Sequence, residues 1–362
     1  MRLAGQLIGL FSFDVGYEID LERARACVAT AEREALERRR PAPASLAYAT
    51  PPLRVPLGTW QVRLGADTVE ATAGARLHDV GAATIVLRVP LACDVAALPA
   101  LTATLAESGP LEAVARELLE ELQRKLRPAI GRPVQSGFVE DYYVIQVDRF
   151  EPATTIPALL AESGGAIASA LRCDPHPLSD AERAEVLATQ VSYYPRDLVI
   201  TEWNVAFVVD DTDYADTVNV LEYLNVQLLE LRYYDGVLDR HVQDAYGLAA
   251  RRARAFPLAH PRYRRTLDEL AEIRVDVATI VERVGNALKL SGDLYLAKIY
   301  ARTAQRLALR AWADSVDRKL EVLDKLYGVL ATRVATARAE ALELAIVLLI
   351  VLELLLAVGV KR

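Results

Sequence analysis

The sequence predicts an α+β fold. An N-terminal antiparallel sheet with helices precedes a C-terminal helical hairpin or coiled coil, which ends in a single transmembrane helix. Three observations lead to this class. Short apolar or alternating runs recur between glycines and prolines through the first 210 residues, which is typical of strands. After Asp213, apolar residues step by three and four, which is typical of helices. Residues 344–360 are then almost wholly apolar.

Composition indicates a globular chain with a substantial core. Hydrophobic residues make up 52% of the 362 residues and charged residues 25%, which excludes an intrinsically disordered protein. The net charge of −7 argues against a protein that coats nucleic acid along its whole surface. Cys27, Cys93 and Cys173 are far apart in the sequence, so we expect reduced thiols in a reducing compartment.

The N-terminal elements alternate between strand and helix patterns. Alternation and glycine spacing predict strands, while runs of helix formers between prolines or caps predict helices. The predicted strands lie at residues 6–13, in several short segments of 53–89, at 138–150 and within 191–209. The predicted helices lie at residues 21–39, at 96–126 with a break at Gly109-Pro110, at 154–171 and at 179–187. Together these elements predict an antiparallel sheet with helices on one side.

The C-terminal half keeps helical spacing with few breaks. One apolar face runs over residues 218–254, and the same spacing resumes over residues 270–288. Ser291-Gly292 is the clearest turn, so these stretches predict an antiparallel hairpin. Residues 316–334 then form a heptad seam. The predicted domains are an α+β head (1–212), a helical domain with the hairpin (213–343) and a transmembrane helix (344–360).

The segment 344–360 is predicted to cross a membrane. Thirteen of its seventeen residues are Leu, Ile or Val, and its length of roughly 25 Å is at the short end for a bilayer. Glu353 is its one charge, and we expect this side chain to be protonated or hydrogen-bonded between helices of a homo-oligomer. The alternative is a soluble helix buried in an oligomer core. Because no export signal precedes it, the N-terminal bulk is expected on the cytoplasmic side of the cytoplasmic (inner) membrane.

Carboxylates at a strand-to-helix junction are the strongest candidates for cation binding. The group extends from Glu202 to Asp216. Within it, Asp210, Asp211 and Asp213 are weak candidates for metal ligands. Their spacing is not that of a calcium loop, and the alternative is that Asp213 caps the following helix. No phosphate loop, nucleophile elbow or four-ligand zinc pattern is present. No catalytic residue and no cofactor is therefore predicted.

An arginine-rich stretch, residues 251–265, is the strongest candidate for binding an anionic partner. It interleaves aromatic residues with six arginines and carries no acid, a combination that suits RNA or phosphate. The arginines are Arg251, Arg252, Arg254, Arg262, Arg264 and Arg265. The alternative is a helix end followed by a solvated loop. Because Arg262 is predicted to lie about 30 Å from the membrane helix, an RNA or protein partner is favoured over lipid.

The C-terminal half resembles the RMD (required for meiotic nuclear division) family over roughly residues 195–360. The resemblance depends on DLYL (293–296), DRKLEVLDKLYGVL (317–330) and LELAIVLLIVLELLL (342–356). Members share a domain of unknown function, are anchored by one C-terminal helix and tend to form homo-oligomers. In mitochondria they support translation at the inner membrane. The resemblance therefore implies a membrane-anchored assembly, and it implies no catalytic residue.

We therefore expect a non-enzymatic, membrane-anchored oligomeric scaffold or adaptor. Its cytoplasmic α+β head would be presented to a protein or ribonucleoprotein partner, and by resemblance it would support translation at the membrane. The expected partners are the membrane, further copies of the chain, and a protein or an RNA/ribosome partner, with no DNA indicated. The alternative is a membrane-bound, metal-dependent hydrolase or nuclease that uses the carboxylates between Glu202 and Asp216.

Overall fold

The computed structural model describes most of the chain, in two compact units. The described residues are 1–28, 32–33, 47–48, 51–64, 67–107, 109–134, 137–210, 214–250, 288–289 and 294–359. One unit comprises Met1–Tyr233 with Ile280–Trp312, and the other comprises Tyr234–Thr279 with Ala313–Arg362. The first unit therefore continues beyond residue 212, where the sequence places the end of the head.

The strands belong to the first unit, and the helices are divided between the two. The strands are β1 (Arg2–Asp14), β2 (Gly16–Ile19), β3 (Glu32–Arg33), β4 (Ala47–Tyr48), β5 (Leu53–Leu64), β6 (Asp67–Leu77), β7 (Ala82–Asp94), β8 (Ile130–Pro133), β9 (Val139–Glu151), β10 (Leu198–Thr201), β11 (Val205–Val209) and β12 (Leu288–Lys289). The helices are α1 (Leu21–Cys27), α2 (Leu98–Glu107), α3 (Pro110–Leu126), α4 (Ile156–Leu171), α5 (Asp180–Leu187), α6 (Ala215–Ala250), α7 (Leu294–Arg306) and α8 (Leu309–Gly359).

Eight strands form the main sheet, in the order β10-β11-β9-β1-β7-β6-β5-β3. All neighbouring pairs are antiparallel except β11 and β9, which run parallel. Two short pairs, β2 with β8 and β4 with β12, lie outside this sheet. The predicted α+β class, with a mostly antiparallel N-terminal sheet and C-terminal helices, is thus confirmed.

Both faces of the central strand β1 are buried, which explains its long apolar run. Leu7 and Phe11 point to the core that the sheet forms with the helices α2 to α4. Ile8 and Ser12 point to the opposite face because successive side chains alternate along a strand, and they too are completely buried. The N-terminal part of α6 covers this second face. The sheet therefore has helices on both sides. The sequence predicted helices on one side only, and that prediction is wrong.

Several predicted elements are confirmed, and one is wrong. The break at Gly109-Pro110 separates α2 from α3, since proline is tolerated in the first turn of a helix. The Ser179 hydroxyl accepts a hydrogen bond from the backbone N–H of Glu182 and caps α5, which confirms the helix predicted at residues 179–187. The helix predicted over residues 21–39 instead ends at Cys27, and β3 lies within that range.

In the second unit, α6 and α8 run parallel. Ser315 Oγ donates to Asp235 Oδ1 at 2.8 Å, and Lys319 Nζ lies 2.6 Å from Asp239 Oδ1. Ser315 and Lys319, one turn apart on α8, thus contact Asp235 and Asp239, which are one turn apart on α6 and follow in the same order along the chain. The predicted antiparallel hairpin, with its turn at Ser291-Gly292, lies outside the described residues.

The predicted heptad and the predicted transmembrane segment belong to one continuous 51-residue helix, α8. Side chains are described as far as Glu353, so the end of the predicted segment 344–360 lies outside the described side chains. Over the described part of the chain, no helix meets both the length and the apolarity needed to cross a membrane.

Candidate functional site

A row of polar side chains crosses the sheet beneath α6. Arg76 on β6 pairs in register with Thr84 on β7, Thr84 with Ser12 on β1, and Ser12 with Glu140 on β9. Residues in register point to the same face of a sheet, so the four side chains form one line across four strands. All four are buried, with at most 6% of any residue exposed. We call this line the polar row.

Helix α6 supplies the partners of the polar row. The buried carboxylate of Glu222 forms an ion pair with Arg76 and lies 3.3 Å from His78 Nε2. Burial, with the nearby Arg76 charge, lowers the pKa of His78 to about 3, so this imidazole is neutral. One turn further along α6, Asn225 Nδ2 donates to Ser12 Oγ at 3.0 Å and to the Glu140 carbonyl oxygen at 2.9 Å. The row is therefore tied to the helix at two points.

Two carboxyl groups at the end of β1 lie close together and are buried. Asp14 Oδ1 accepts a hydrogen bond from the Gly16 N–H, while Asp14 Oδ2 and Glu230 Oε1 have no hydrogen-bond partner among the described residues. Burial raises the pKa of Asp14 to about 6, although hydrogen bonds from Gly16 and the Tyr233 side chain oppose the shift. Burial and repulsion from Asp14 raise the pKa of Glu230 well above its usual value. A proton on either carboxyl relieves this repulsion.

The Glu140 carboxylate lies at the outer end of the polar row. It forms an ion pair with Arg232, whose guanidinium also stacks over the rings of Phe138 and Trp312 at 5.2 and 5.7 Å from their centroids. Burial nevertheless raises the pKa of Glu140 to about 7, because desolvation of the carboxylate exceeds its attraction to Arg232. The ion pair is therefore formed fully only above neutral pH.

These groups can hold protons and fix α6 to the sheet. Within the described residues, no group of three or more His, Cys, Asp or Glu side chains could hold a metal ion. The side chains of the polar row are also closed off from solvent. The geometry therefore fits a structural polar layer and does not present a reactive side chain to a substrate.

The structure describes three carboxylates of the predicted group, Glu202, Asp210 and Asp216. Glu202 is 1% exposed and is held by two arginines: Arg172 Nη1 donates to Oε2 at 3.0 Å, and Arg306 Nε donates to Oε1 at 2.6 Å. Asp210 is buried at the end of β11, and Asp216 is half-buried in the first turn of α6. Asp211 and Asp213 lie outside the described residues. The negative charge of Glu202 is thus neutralised by guanidinium groups.

The remaining predicted sites are placed as follows. The arginine-rich stretch, residues 251–265, lies outside the part of the chain that the structure describes. Glu353 lies on α8 and is exposed, as are the nine residues Leu344–Leu352 that precede it. The exposed fraction reaches 64% at Leu349.

Sequence reasoning missed the polar row and its partners on α6. One signal was available, because Glu222 and Asn225 adjoin the apolar positions Leu221 and Leu224 on the predicted helix face. Polar residues that interrupt an apolar face must be hydrogen-bonded when that face is buried. Their partners were not predictable, since Arg76 and Ser12 are far away in the sequence and meet α6 only through the strand order.

The fold and the site define a class of α+β proteins with a two-sided, mostly antiparallel sheet and a closed polar layer under a long helix. The chain belongs to the family described as "Uncharacterized protein MJ0711, N-terminal domain", whose model matches residues 4–216. It is also similar to "Uncharacterized protein MJ0711" of Methanocaldococcus jannaschii, with 24% identity over 244 residues that cover 67% of this chain and 73% of that protein. No solved structure matches the chain.

The matched region, residues 4–216, is largely the predicted head. These comparisons do not confirm the resemblance of residues 195–360 to the RMD family, which stays a prediction.

Proposed function

We propose that this protein is a non-enzymatic scaffold that attaches to a membrane by the end of α8 and presents its α+β head on the cytoplasmic side. The observation that carries the proposal is the stretch Leu344–Leu352. Its nine consecutive residues are Leu, Ile, Val or Ala, and all of them are exposed. Solvated apolar side chains of this size each forfeit about 1.5–3 kcal/mol of burial free energy, so such a segment requires a cover.

A bilayer is the cover that suits the distribution of these side chains. Successive residues of a helix are separated by about 100°, so nine apolar residues in sequence occupy every side of α8. A single neighbouring helix would cover only one stripe, whereas lipid surrounds a helix completely. The predicted membrane segment also continues past Glu353, the last residue whose side chain is described.

Self-association accompanies attachment in this proposal. The heptad seam of α8 is partly used within the chain, because Val316 and Leu323 are already buried. They share a helix face with Lys319, which contacts Asp235 and Asp239 of α6. The exposed apolar segment and Glu353 then offer contacts to further copies of the chain.

The scaffold role of the head is supported by how its charged groups are used. Glu202 is neutralised by Arg172 and Arg306, and Glu222 by Arg76. Carboxylates in such pairs hold elements together and are not poised to activate water. The alternative of a metal-dependent hydrolase depends on Asp211 and Asp213, which lie outside the described residues, and no observation favours it.

Flotation with lipid vesicles tests membrane attachment. The full chain, mixed with vesicles of neutral and anionic phospholipid, should rise with the lipid in a density gradient, and a variant lacking residues 343–362 should stay at the bottom. The double variant Leu348→Lys/Ile350→Lys should also stay at the bottom, because each lysine costs about 2.5–3.5 kcal/mol within a bilayer. Val329→Lys is the matched control, since Val329 is 50% exposed on the same helix outside the segment.

Flotation of the truncated chain, or equal flotation of the double variant and the control, would rule out attachment by this segment. Formation of oligomers by the full chain in the absence of lipid, with no flotation, would show that copies of the chain cover the segment instead.

A further inference from the structure

A loop between α5 and β10 that is closed by internal hydrogen bonds displays two tyrosines on the surface of the first unit. Tyr193 and Tyr194 are 57% and 51% exposed. The buried Asp197 carboxylate accepts hydrogen bonds from the backbone N–H groups of both, at 2.7 Å for Tyr193 and 3.0 Å for Tyr194. The paired backbone groups of Val191 and Val199 close the loop. The backbone of both tyrosines is thus fixed by hydrogen bonds within the loop.

The two rings form part of an aromatic cluster that reaches α7. Tyr193 contacts Tyr194 edge-on with 4.8 Å between ring centroids, and it contacts the buried Tyr295 at 6.0 Å. Tyr295 lies in the first turn of α7, and the same helix ends at Arg306 beside Glu202. Since β10 runs from this loop towards Glu202, α7 lies along β10, and its outer face continues the surface of the tyrosine loop.

This outer face is basic. Helix α7 contains three cations and no acid, in a protein whose net charge is −7. Lys298 and Arg302 are exposed at a four-residue spacing, and Arg196 is exposed next to the tyrosines. None of these three cations forms an ion pair with a described residue, whereas Arg306 is paired with Glu202 and Glu185. Unpaired cations beside exposed aromatic rings suit a partner that is both anionic and aromatic.

We infer that this surface binds single-stranded nucleic acid. The bases would stack on Tyr193 and Tyr194, and the phosphates would contact Arg196, Lys298 and Arg302. An acidic protein segment would use the cations, but it would not require two exposed aromatic rings beside them. A duplex hides its bases and offers nothing to stack on the tyrosines. The inference rests on the proposed function in naming a partner for the scaffold, and its test does not depend on membrane attachment.

The test measures binding of fluorescein-labelled oligo(rU) and oligo(dT) of about 12 nucleotides to the full chain in detergent, by fluorescence anisotropy. Tyr193→Ala/Tyr194→Ala should weaken binding roughly 10-fold or more, as stacking contacts do, while Tyr193→Phe/Tyr194→Phe should bind like the wild type. Tyr246→Ala is the matched control, because Tyr246 is 55% exposed in the second unit. Unequal affinity for the two oligonucleotides separates RNA from DNA as the source of the strand.

Salt dependence provides a second measurement. Lys298→Gln/Arg302→Gln should reduce the slope of log Kd against log salt by about 1.4, since each phosphate contact on a single strand contributes about 0.7. A labelled duplex and an oligoglutamate peptide of matched length serve as competitors, and neither should displace the single strand.

Four results would overturn the inference. The first is no binding of either oligonucleotide, and the second is equal binding by the alanine and phenylalanine variants. The third is tighter binding of oligoglutamate than of the single strand. The fourth is loss of binding only in Arg262→Gln/Arg264→Gln/Arg265→Gln, which would assign binding to the arginine-rich stretch. Equal melting temperatures of the alanine and phenylalanine variants establish that both are folded. If oligonucleotide binding fails while flotation succeeds, the proposed scaffold function still holds, and the scaffold has a partner of another kind.

Discussion

At the scale of single residues, the largest effects on folding stability are expected where charged side chains are buried. Arg76 and Glu222 form an ion pair between β6 and α6, with at most 7% of either side chain exposed. Taking two such charges out of water costs several kcal/mol for each ion, and mutual attraction offsets that cost only while both are present. The pair therefore fixes which part of α6 meets the sheet more than it adds net stability.

We predict that breaking this pair is worse than replacing it. Arg76→Met should lower the free energy of unfolding by about 3–5 kcal/mol, because Glu222 is left buried without its cation. Arg76→Met/Glu222→Met should recover most of the loss. Urea denaturation checks both variants, and the exposed pair of Glu121 with Lys125 is the control, for which Lys125→Met should cost less than about 1 kcal/mol. Additive effects of the two changes would contradict the prediction.

A second prediction at this scale concerns pH. Burial raises the pKa of Asp14 from 3.8 to about 6, so between these values the folded chain holds more protons than the unfolded chain. The contribution of Asp14 to stability is thus fully present below pH 4 and is lost as pH rises through 6, a loss of roughly 2–3 kcal/mol. Urea denaturation at several pH values should show a shallower decline between pH 4 and 6 in Asp14→Asn than in the wild type, since the raised pKa values of Glu140 and Glu230 still contribute to the decline in the variant.

The control for the pH experiment is Asp67→Asn, because Asp67 is exposed at the start of β6. This variant should keep the pH profile of the wild type. A profile of Asp14→Asn that coincides with that of the wild type between pH 4 and 6 would show that Asp14 is not buried as described.

At the scale of elements, α6 is the helix with two environments. As far as Tyr233 it belongs to the first unit, and from Tyr234 it belongs to the second. In the first unit it presents polar side chains to the sheet. In the second, Asp235 and Asp239 contact Ser315 and Lys319 of α8. Two residues of the heptad seam of α8, Val316 and Leu323, are buried within the chain.

We predict that the seam stabilises the second unit. Leu323 is 4% exposed, so Leu323→Ala should destabilise this unit by about 2–5 kcal/mol through the cavity it leaves. Val329→Ala is the matched control, because Val329 is exposed on the same helix, and it should change stability by less than about 0.5 kcal/mol. Scanning calorimetry of both variants measures the effect. Equal melting temperatures would show that the seam faces solvent in the single chain and is free for association.

At the scale of the whole molecule, two exposed surfaces differ in chemistry from each other and from the acidic chain as a whole. The head carries a basic and aromatic surface along α7, the protein as a whole is acidic, and the end of α8 is apolar on every side. The family match to residues 4–216 coincides with most of the first unit.

The sequence by itself determined the class and the type of most elements. Short apolar or loosely alternating runs predicted β1 and β9, the glycine-proline break predicted the junction of α2 and α3, and three-four spacing predicted α6 and α8. These signals are local, since each depends on residues within a few positions of one another. The apolar stretch Leu344–Leu352 was evident for the same reason.

Only the tertiary structure decided which residues meet. The polar row joins residues 12, 76, 84 and 140 because β6, β7, β1 and β9 are neighbours, and no local pattern encodes that order. Three further features also depend on which elements become neighbours. They are the burial of β1 on both faces, the pairing of Glu202 with Arg172 and Arg306, and the parallel contact of α6 with α8. Each depends on contacts between residues distant in the chain. Such contacts stabilise the protein only after the intervening chain has been ordered, so no local sequence pattern reveals them.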